Sequence, residues 1–291
     1  LRLRLPFYLR LLTKNRFPRV MVSSQPGDPA STFGPFLYRS QAEDFSGRAL
    51  DLFLLRRCDE ELEPAPKHPG CIYGEMKLCL RPCQAAVSDA RYREEADAFL
   101  RFLADGGNFL RNHLELQREE ASVALDFEAA ARAHKRLQKL NECWQGLSSL
   151  CALLVRLHGV AVTPGSREGE VRLWPVLAAR LHPPVTLPLD GLGSRVIAAS
   201  LAEVTSLAGM PGRPLQASPE TMQEALAVLT KWAVSSWCDG EWVGFEDPAT
   251  PPSRKISNAA RRVNARRWET GVTSEEGVAP DETKVLPSDD G

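Results

Sequence analysis

The chain has no excess of charge of either sign. Across 291 residues, 36 Lys and Arg stand against 37 Asp and Glu, a formal net charge of -1. That balance excludes a wholly basic nucleic-acid wrapper, although an average can hide basic segments that bind phosphate locally. It also lacks a long apolar run. The opening LRLRLPFYLRLL is broken by Arg2, Arg4 and Arg10, too charged and too short to span a bilayer, and no small-residue cleavage pattern follows it. Neither membrane insertion nor export is expected, and the expected location is cytoplasmic. The seven cysteines are an odd number. With no oxidising compartment implied, clustered thiols point to metal binding or to reduced side chains rather than to a disulfide framework. The chain opens at leucine rather than methionine, as a fragment would, so a domain missing here need not be missing from the gene. The 43% of apolar residues suffices to bury a core, in two modest domains or one elaborated one.

Residues 1 to 20 carry six Arg or Lys and no acid, with Phe7, Tyr8 and Phe17 interleaved. This composition suits a strand lying against a phosphate backbone through residues such as Arg16 and Arg19, or equally the edge of a sheet with solvated arginines. QPGDPASTFGP reads as a loop ending in a turn at Gly34-Pro35. Residues 41 to 57 read as a helix, with Leu50, Phe53 and Leu54 at helical spacing. Ser88 is a candidate N-cap for a helix towards Leu103, with Tyr92, Ala96, Phe99 and Leu103 on one face and Asp105-Gly106-Gly107 ending it. A second helical run from about Phe109 towards Leu140 makes a helical hairpin or small bundle.

After about residue 156, GVAVTPGSREGEVRLWPV reads as two short strands round a loop, with PPVTLPL as an edge strand. A helix from Ser194 to Leu207 follows. Another is capped by Ser218 with Pro219 at its first position and carries Met222, Leu226, Leu229 and Ala233 as its apolar stripe. RKISNAARRVNARRW holds six basic residues and no acid. As a helix it gathers Arg262 and Arg266 on one flank, where they suit phosphate contact or pairing with the acidic tail, and Trp268 is a candidate to stack on a base. The tail from about Gly271 is acidic, poor in large apolar residues and read as disordered.

Cys58, Cys71, Cys79 and Cys83 gather in a stretch broken by Pro64, Pro66, Pro69, Gly70 and Gly74, where something other than a hydrophobic core must hold the chain. Four thiolates can saturate a tetrahedral zinc or ligate a cubane iron-sulfur cluster. Zinc ribbons usually bring two close C-x-x-C pairs, and the long, medium and short intervals here lean towards iron and sulfur. Arg56, Arg57, Lys77 and Arg81 could stabilise such an anionic site or hold DNA near it. Cys143, Cys151 and Cys238 read as ordinary buried thiols. The carboxylates of DGEWVGFED invite comparison with a two-metal nuclease, but no partner group stands out, and His158 and His182 read as structural.

FPRVMVSS, FGPF, RRC, CIYGEMKLCLRPC and ALDFEAAARAHKRLQKL, in this order, resemble the central part of the bacterial UvrC excinuclease family. The resemblance covers about residues 5 to 142. It implies that Cys58, Cys71, Cys79 and Cys83 ligate a [4Fe-4S] cluster, with zinc as the alternative. It implies further that a UVR motif follows, a helical hairpin that docks on a UvrB-like helicase subunit, with Phe127, Glu128, Ala130 and Ala131 at its motif positions. On one helix Leu125 and Ala129, or Phe127 and Ala131, lie four apart, leaving room for a partner helix, while Glu128 can meet a basic group. His134-Lys135 stands where the family has an arginine-aspartate pair, and Arg118 where it has a methionine. The GIY-YIG nuclease motif, the RNase H-like nuclease and the paired helix-hairpin-helix elements of the family are not found.

The reading is therefore an α+β protein. Residues 1-57 are the end of an N-terminal domain and a linker helix, 58-87 the cysteine segment, 88-155 the helical UVR-like region, 156-250 a smaller mixed α/β domain, 251-270 a basic segment and 271-291 the tail. The expected role is a non-catalytic DNA-repair component holding an iron-sulfur cluster, a UvrB-like partner and DNA. The rivals are a fragment of a GIY-YIG endonuclease and a redox-sensing adaptor.

Overall fold

The computed structural model describes residues 3-190, 192-208, 219-235 and 238-268. Ser218 and the tail from Gly271 lie outside the described residues, as does the side chain of Trp268.

The first unit begins with β1 (Phe7–Leu11), β2 (Val20–Ser23) and β3 (Thr32–Phe36), followed by α1 (Arg39–Leu50) and the short α2 (Ile72–Glu75). Next come α3 (Asp89–Ala104), α4 (Asn108–Val123), α5 (Phe127–Trp144) and β4 (Ala152–Leu153), which returns to the first sheet to give the antiparallel order β2-β1-β3-β4. The basic opening is thus not a sheet edge: β1 is an inner strand. Its two faces are buried in different clusters, Leu9 and Leu11 against the helices and Tyr8 on the opposite side, as the period-two alternation of a strand requires. Gly34-Pro35 is likewise not a turn but lies inside β3. A Cβ at Gly34, where φ is 150°, would meet Tyr8 Cδ1 at 3.0 Å and Phe7 O at 3.1 Å, so glycine lets β1 and β3 approach.

The helix read over 41 to 57 ends at Leu50. The chain turns at Asp51 and Leu52, yet Phe53 still enters the core, stacking edge-on against Phe99 and Phe102 at 5.3 Å each. Tertiary packing, not helical spacing, accounts for that apolar residue. α3 runs as expected: Ser88 Oγ accepts from Arg91 N at 3.2 Å, and Tyr92, Ala96, Phe99 and Leu103 are buried on one face. The run read from Phe109 to Leu140 divides in two. Leu125 adopts a left-handed φ of 57°, and Asp126 caps α5 by accepting from Ala129 N at 2.9 Å, so α4 and α5 fold back on each other as a hairpin.

The second unit contains β5 (His158–Pro164), β6 (Glu170–Leu177), β7 (Arg180–Leu181), β8 (Val185–Pro188), α6 (Ser194–Ala208), α7 (Pro219–Ala233), β9 (Glu241–Phe245) and α8 (Ser253–Trp268). Its antiparallel sheet runs β7-β6-β5-β9, with β8 also on β6. Alternation again sorts the side chains. Val160, Val162, Val171 and Leu173 pack with Ile197, Ile256, Ala259, Ala260 and Val263, whereas Ala161 and Val176 pack with Met222, Leu226 and Leu229. The inner face of α8 is therefore core, and its arginines lie on the opposite flank. DGEWVGFED is not an acidic loop alone, because its middle forms β9 beside β5. Among the described residues no helix is long and apolar enough to cross a membrane.

Candidate metal centre and docking surface

The chain leading to Cys58 is hung on α3 by side chains. Leu54 N donates to Glu95 Oε1 at 2.9 Å, and Arg56 N donates to Tyr92 Oη at 2.9 Å. The phenol in turn donates to Pro18 O at 2.9 Å, fixing the segment against the first sheet. The return strand is tied to the same place, since Leu80 N donates to Leu54 O at 3.0 Å and Ala65 N to Cys83 O at 2.9 Å. Backbone anchoring thus replaces regular structure in a stretch that prolines keep irregular.

These ties bring all four predicted cysteines to one small cavity, lined by Cys58, Cys71, Cys79 and Cys83 together with Arg56, Arg57 and Arg81. Cys79 and Cys83 are buried and Cys58 and Cys71 half-buried, and all four are free thiols. Arg81 N donates to Cys79 Sγ at 3.4 Å and Arg56 Nη1 to Cys58 Sγ at 3.8 Å. Burial pushes the Cys79 thiol up to about 11, and it raises the Cys58 thiol while the neighbouring Arg56 charge works the other way. Lys77, Arg81 and Ala85 hold left-handed φ values of 58°, 55° and 51° without being glycine. Such residues cost about 1–2 kcal/mol each and persist only where the surroundings over-determine them.

The chemistry of the donor set suits a thiolate-bound metal group, although the thiols are not arranged as a ready-made coordination set. Four thiols share one cavity, cations surround it, and Arg56 Nε and Arg57 Nε are buried donors without a partner. Among the described residues no set of three or more His, Cys, Asp or Glu is arranged to hold a metal ion.

The other predicted residues lie elsewhere. At the hairpin tip Leu125 is 71% and Phe127 73% exposed, with Val123 exposed beside them. Leu125 sits in the turn rather than on the helix, so it does not share a helical face with Ala129. Glu128 pairs with Arg132 at 3.6 Å, Ala130 is half-buried and Ala131 exposed. Exposure at a turn was not legible from periodicity; the break at Leu125-Asp126 was its only signal.

The four candidate DNA-contacting arginines all meet carboxylates of the chain. Arg16 pairs with Asp89 at 2.7 Å and Arg19 with Asp59 at 2.5 Å. Arg262 makes two hydrogen bonds to Glu241, and Arg266 approaches the same carboxylate at 3.5 Å. Of the carboxylates near residue 239, Glu241 is thereby engaged, and Asp247 accepts from Ala249 N and Thr250 Oγ1, each at 2.8 Å. His158 accepts from Ala178 N at 3.0 Å through Nδ1 and stacks on Phe245; burial holds it and His182 below the ordinary histidine value. Cys143 is buried, as read, whereas Cys151 and Cys238 are half-buried.

Residues 7–102 match the family model described as UvrC/Cho excinuclease, middle domain. This stretch runs from β1 into the end of α3 and contains all four cavity cysteines; the hairpin lies beyond it. The chain is 29% identical over 175 residues to the UvrABC system protein C of Moorella thermoacetica, covering 60% of this chain and 28% of that protein. It is 32% identical over 120 residues to that of Halobacterium salinarum, covering 41% and 20%. With that of Leptospira biflexa identity is 27% over 192 residues, covering 64% and 30%. The chain thus spans less than a third of the length of these relatives. No solved structure matches. Residues 7–102 are thus similar to the middle domain of the UvrC/Cho excinucleases.

Proposed function

We propose that the chain serves nucleotide excision repair as a holding and docking component, with an iron-sulfur cluster on Cys58, Cys71, Cys79 and Cys83 and a UvrB-like helicase subunit on the hairpin tip. The observation that carries this reading is the shared cavity of the four thiols inside the segment that matches the middle domain. When bound, the cluster would staple an irregular segment that lacks regular structure of its own. Iron and sulfur are favoured over zinc by the uneven cysteine spacing and by the surrounding arginines, which suit an anionic multi-iron site.

The docking reading rests on Val123, Leu125 and Phe127, an apolar group left in water at the end of a capped hairpin. Arg132, beside Glu128, supplies charge at its rim. DNA contact through Arg16, Arg19, Arg262 and Arg266 would exchange their carboxylate partners for phosphates, a step favoured at low salt. A cytoplasmic location accords with this role.

The test is the iron and acid-labile sulfide content of anaerobically purified protein, for wild type and Cys79→Ser, followed by a pull-down with a UvrB-like helicase. About four irons per chain, lost in the variant, is expected. One zinc per chain would retain the staple without redox chemistry. Failure of the folded protein to capture the helicase would remove the docking role.

A further inference from the structure

Arg56 is 4% exposed, yet the hydrogen bonds of its guanidinium go to Cys58 Sγ and to the Glu60 carbonyl at 2.7 Å, and its Nε has no partner at all. Its neighbour Arg57, by contrast, meets Asp51 at 2.8 Å and lies 5.5 Å over the Tyr73 ring. A buried cation is costly unless a counter-charge lies close. The ionisable groups that share the cavity with Arg56 are the four cysteine thiols and the further cations Arg57 and Arg81, so the thiols, which become anionic once they ligate a metal group, are its only potential counter-charges there. The same side chain also lines an outer groove with Asn15, Arg16, Phe17, Glu61 and Leu62. Together with Leu62, which also lines both, it stands between that groove and the four thiols.

We infer that Arg56 is a positioning and charge-compensating residue of the four-cysteine site, holding the Cys58 thiolate through Nη1, setting the reduction potential of the cluster and closing the cavity against the outer groove. The inference rests on the iron-sulfur reading proposed above. A nearby cation with N–H donors favours the reduced, more negative state of a thiolate-bound cluster, so its removal lowers the potential. The long side chain also shields the thiols from water and dissolved oxidant.

The experiment compares anaerobic wild type, Arg56→Met and Arg56→Lys by iron and sulfide content, by the reduction potential from a dithionite titration followed by electron paramagnetic resonance, and by bleaching in air. Methionine keeps an unbranched apolar stem and loses the charge and the N–H donors. The expected result is a more negative potential for Arg56→Met, returned towards wild type in Arg56→Lys. Loss of colour is expected to be severalfold faster in Arg56→Met. Iron-loaded Arg56→Met with unchanged potential overturns the inference while leaving the iron-sulfur reading intact. Wild type without iron and sulfide overturns both. If Arg56→Met loses its cluster on purification, Arg56→Lys decides. Its iron–cysteine stretching bands in resonance Raman are expected to shift as the guanidinium fork is lost, and unshifted bands with unchanged bleaching overturn the inference.

Discussion

The buried phenol of Tyr92 accepts the backbone N–H of Arg56 at 2.9 Å while donating to Pro18 O, so one side chain of α3 joins the first sheet to the segment that carries Cys58. Both backbone groups depend on that hydroxyl. Tyr92→Phe leaves them without a partner and is expected to cost about 1–3 kcal/mol of stability, measured by urea unfolding. If the proposed cluster is bound, the same variant is expected to lose it faster to a chelator. Retention at the wild-type rate would separate this anchor from the cysteine site.

Leu125 is held in a left-handed backbone conformation at the hairpin turn with its side chain in water. Leu125→Gly is expected to raise the stability of the hairpin by about 1 kcal/mol, because glycine occupies that region without strain. If the hairpin tip docks a UvrB-like helicase, it should at the same time weaken that capture. Thermal melts and isothermal titration together check the opposite signs, and equal affinity would place the docking energy elsewhere.

Phe127 is largely exposed, so Phe127→Asp should leave stability within about 0.5 kcal/mol of wild type. If the apolar tip docks a partner, affinity should fall at least about tenfold, equivalent to about 1.4 kcal/mol. Asp126→Ala, in contrast, removes the cap of α5 and is expected to cost about 1 kcal/mol in unfolding experiments.

Glu241 accepts from Arg262 and lies near Arg266. If these arginines contact phosphate, the double variant Arg262→Ala/Arg266→Ala should reduce the slope of log affinity against log salt by about 2, since each contact contributes about 0.9 on duplex DNA. Fluorescence anisotropy with a labelled duplex measures the slope. An unchanged slope would leave the two side chains as a tether between α8 and β9.

Ile256 is fully buried between α8 and the second sheet. Ile256→Ala is expected to destabilise this unit by about 2–5 kcal/mol, read from urea unfolding. If the four cysteines, which belong to the other unit, hold the proposed cluster, its content should be unchanged.

Much was legible in the chain itself. The N-cap Ser88 and the stripe Tyr92-Ala96-Phe99-Leu103 specify α3, because capping and a 3.6-residue period are local properties. The strands β5 and β6 and the stripe of Met222, Leu226 and Leu229 on α7 followed for the same reason. The four cysteines stood out by density in a stretch that prolines keep from folding regularly. Only tertiary structure decided that β1 is an inner strand rather than an edge, that Gly34-Pro35 lies within a strand and that Phe53 reaches the core beyond the end of α1. These depend on which segments approach, and spacing along the chain carries no such information. Likewise, sequence composition marked Arg16, Arg19, Arg262 and Arg266 as basic, but their carboxylate partners lie 73, 40, 21 and 25 positions away. Charge pairing across such separations is set by the packed fold, as is the burial of Arg56 against thiols that its own sequence neighbours merely announce.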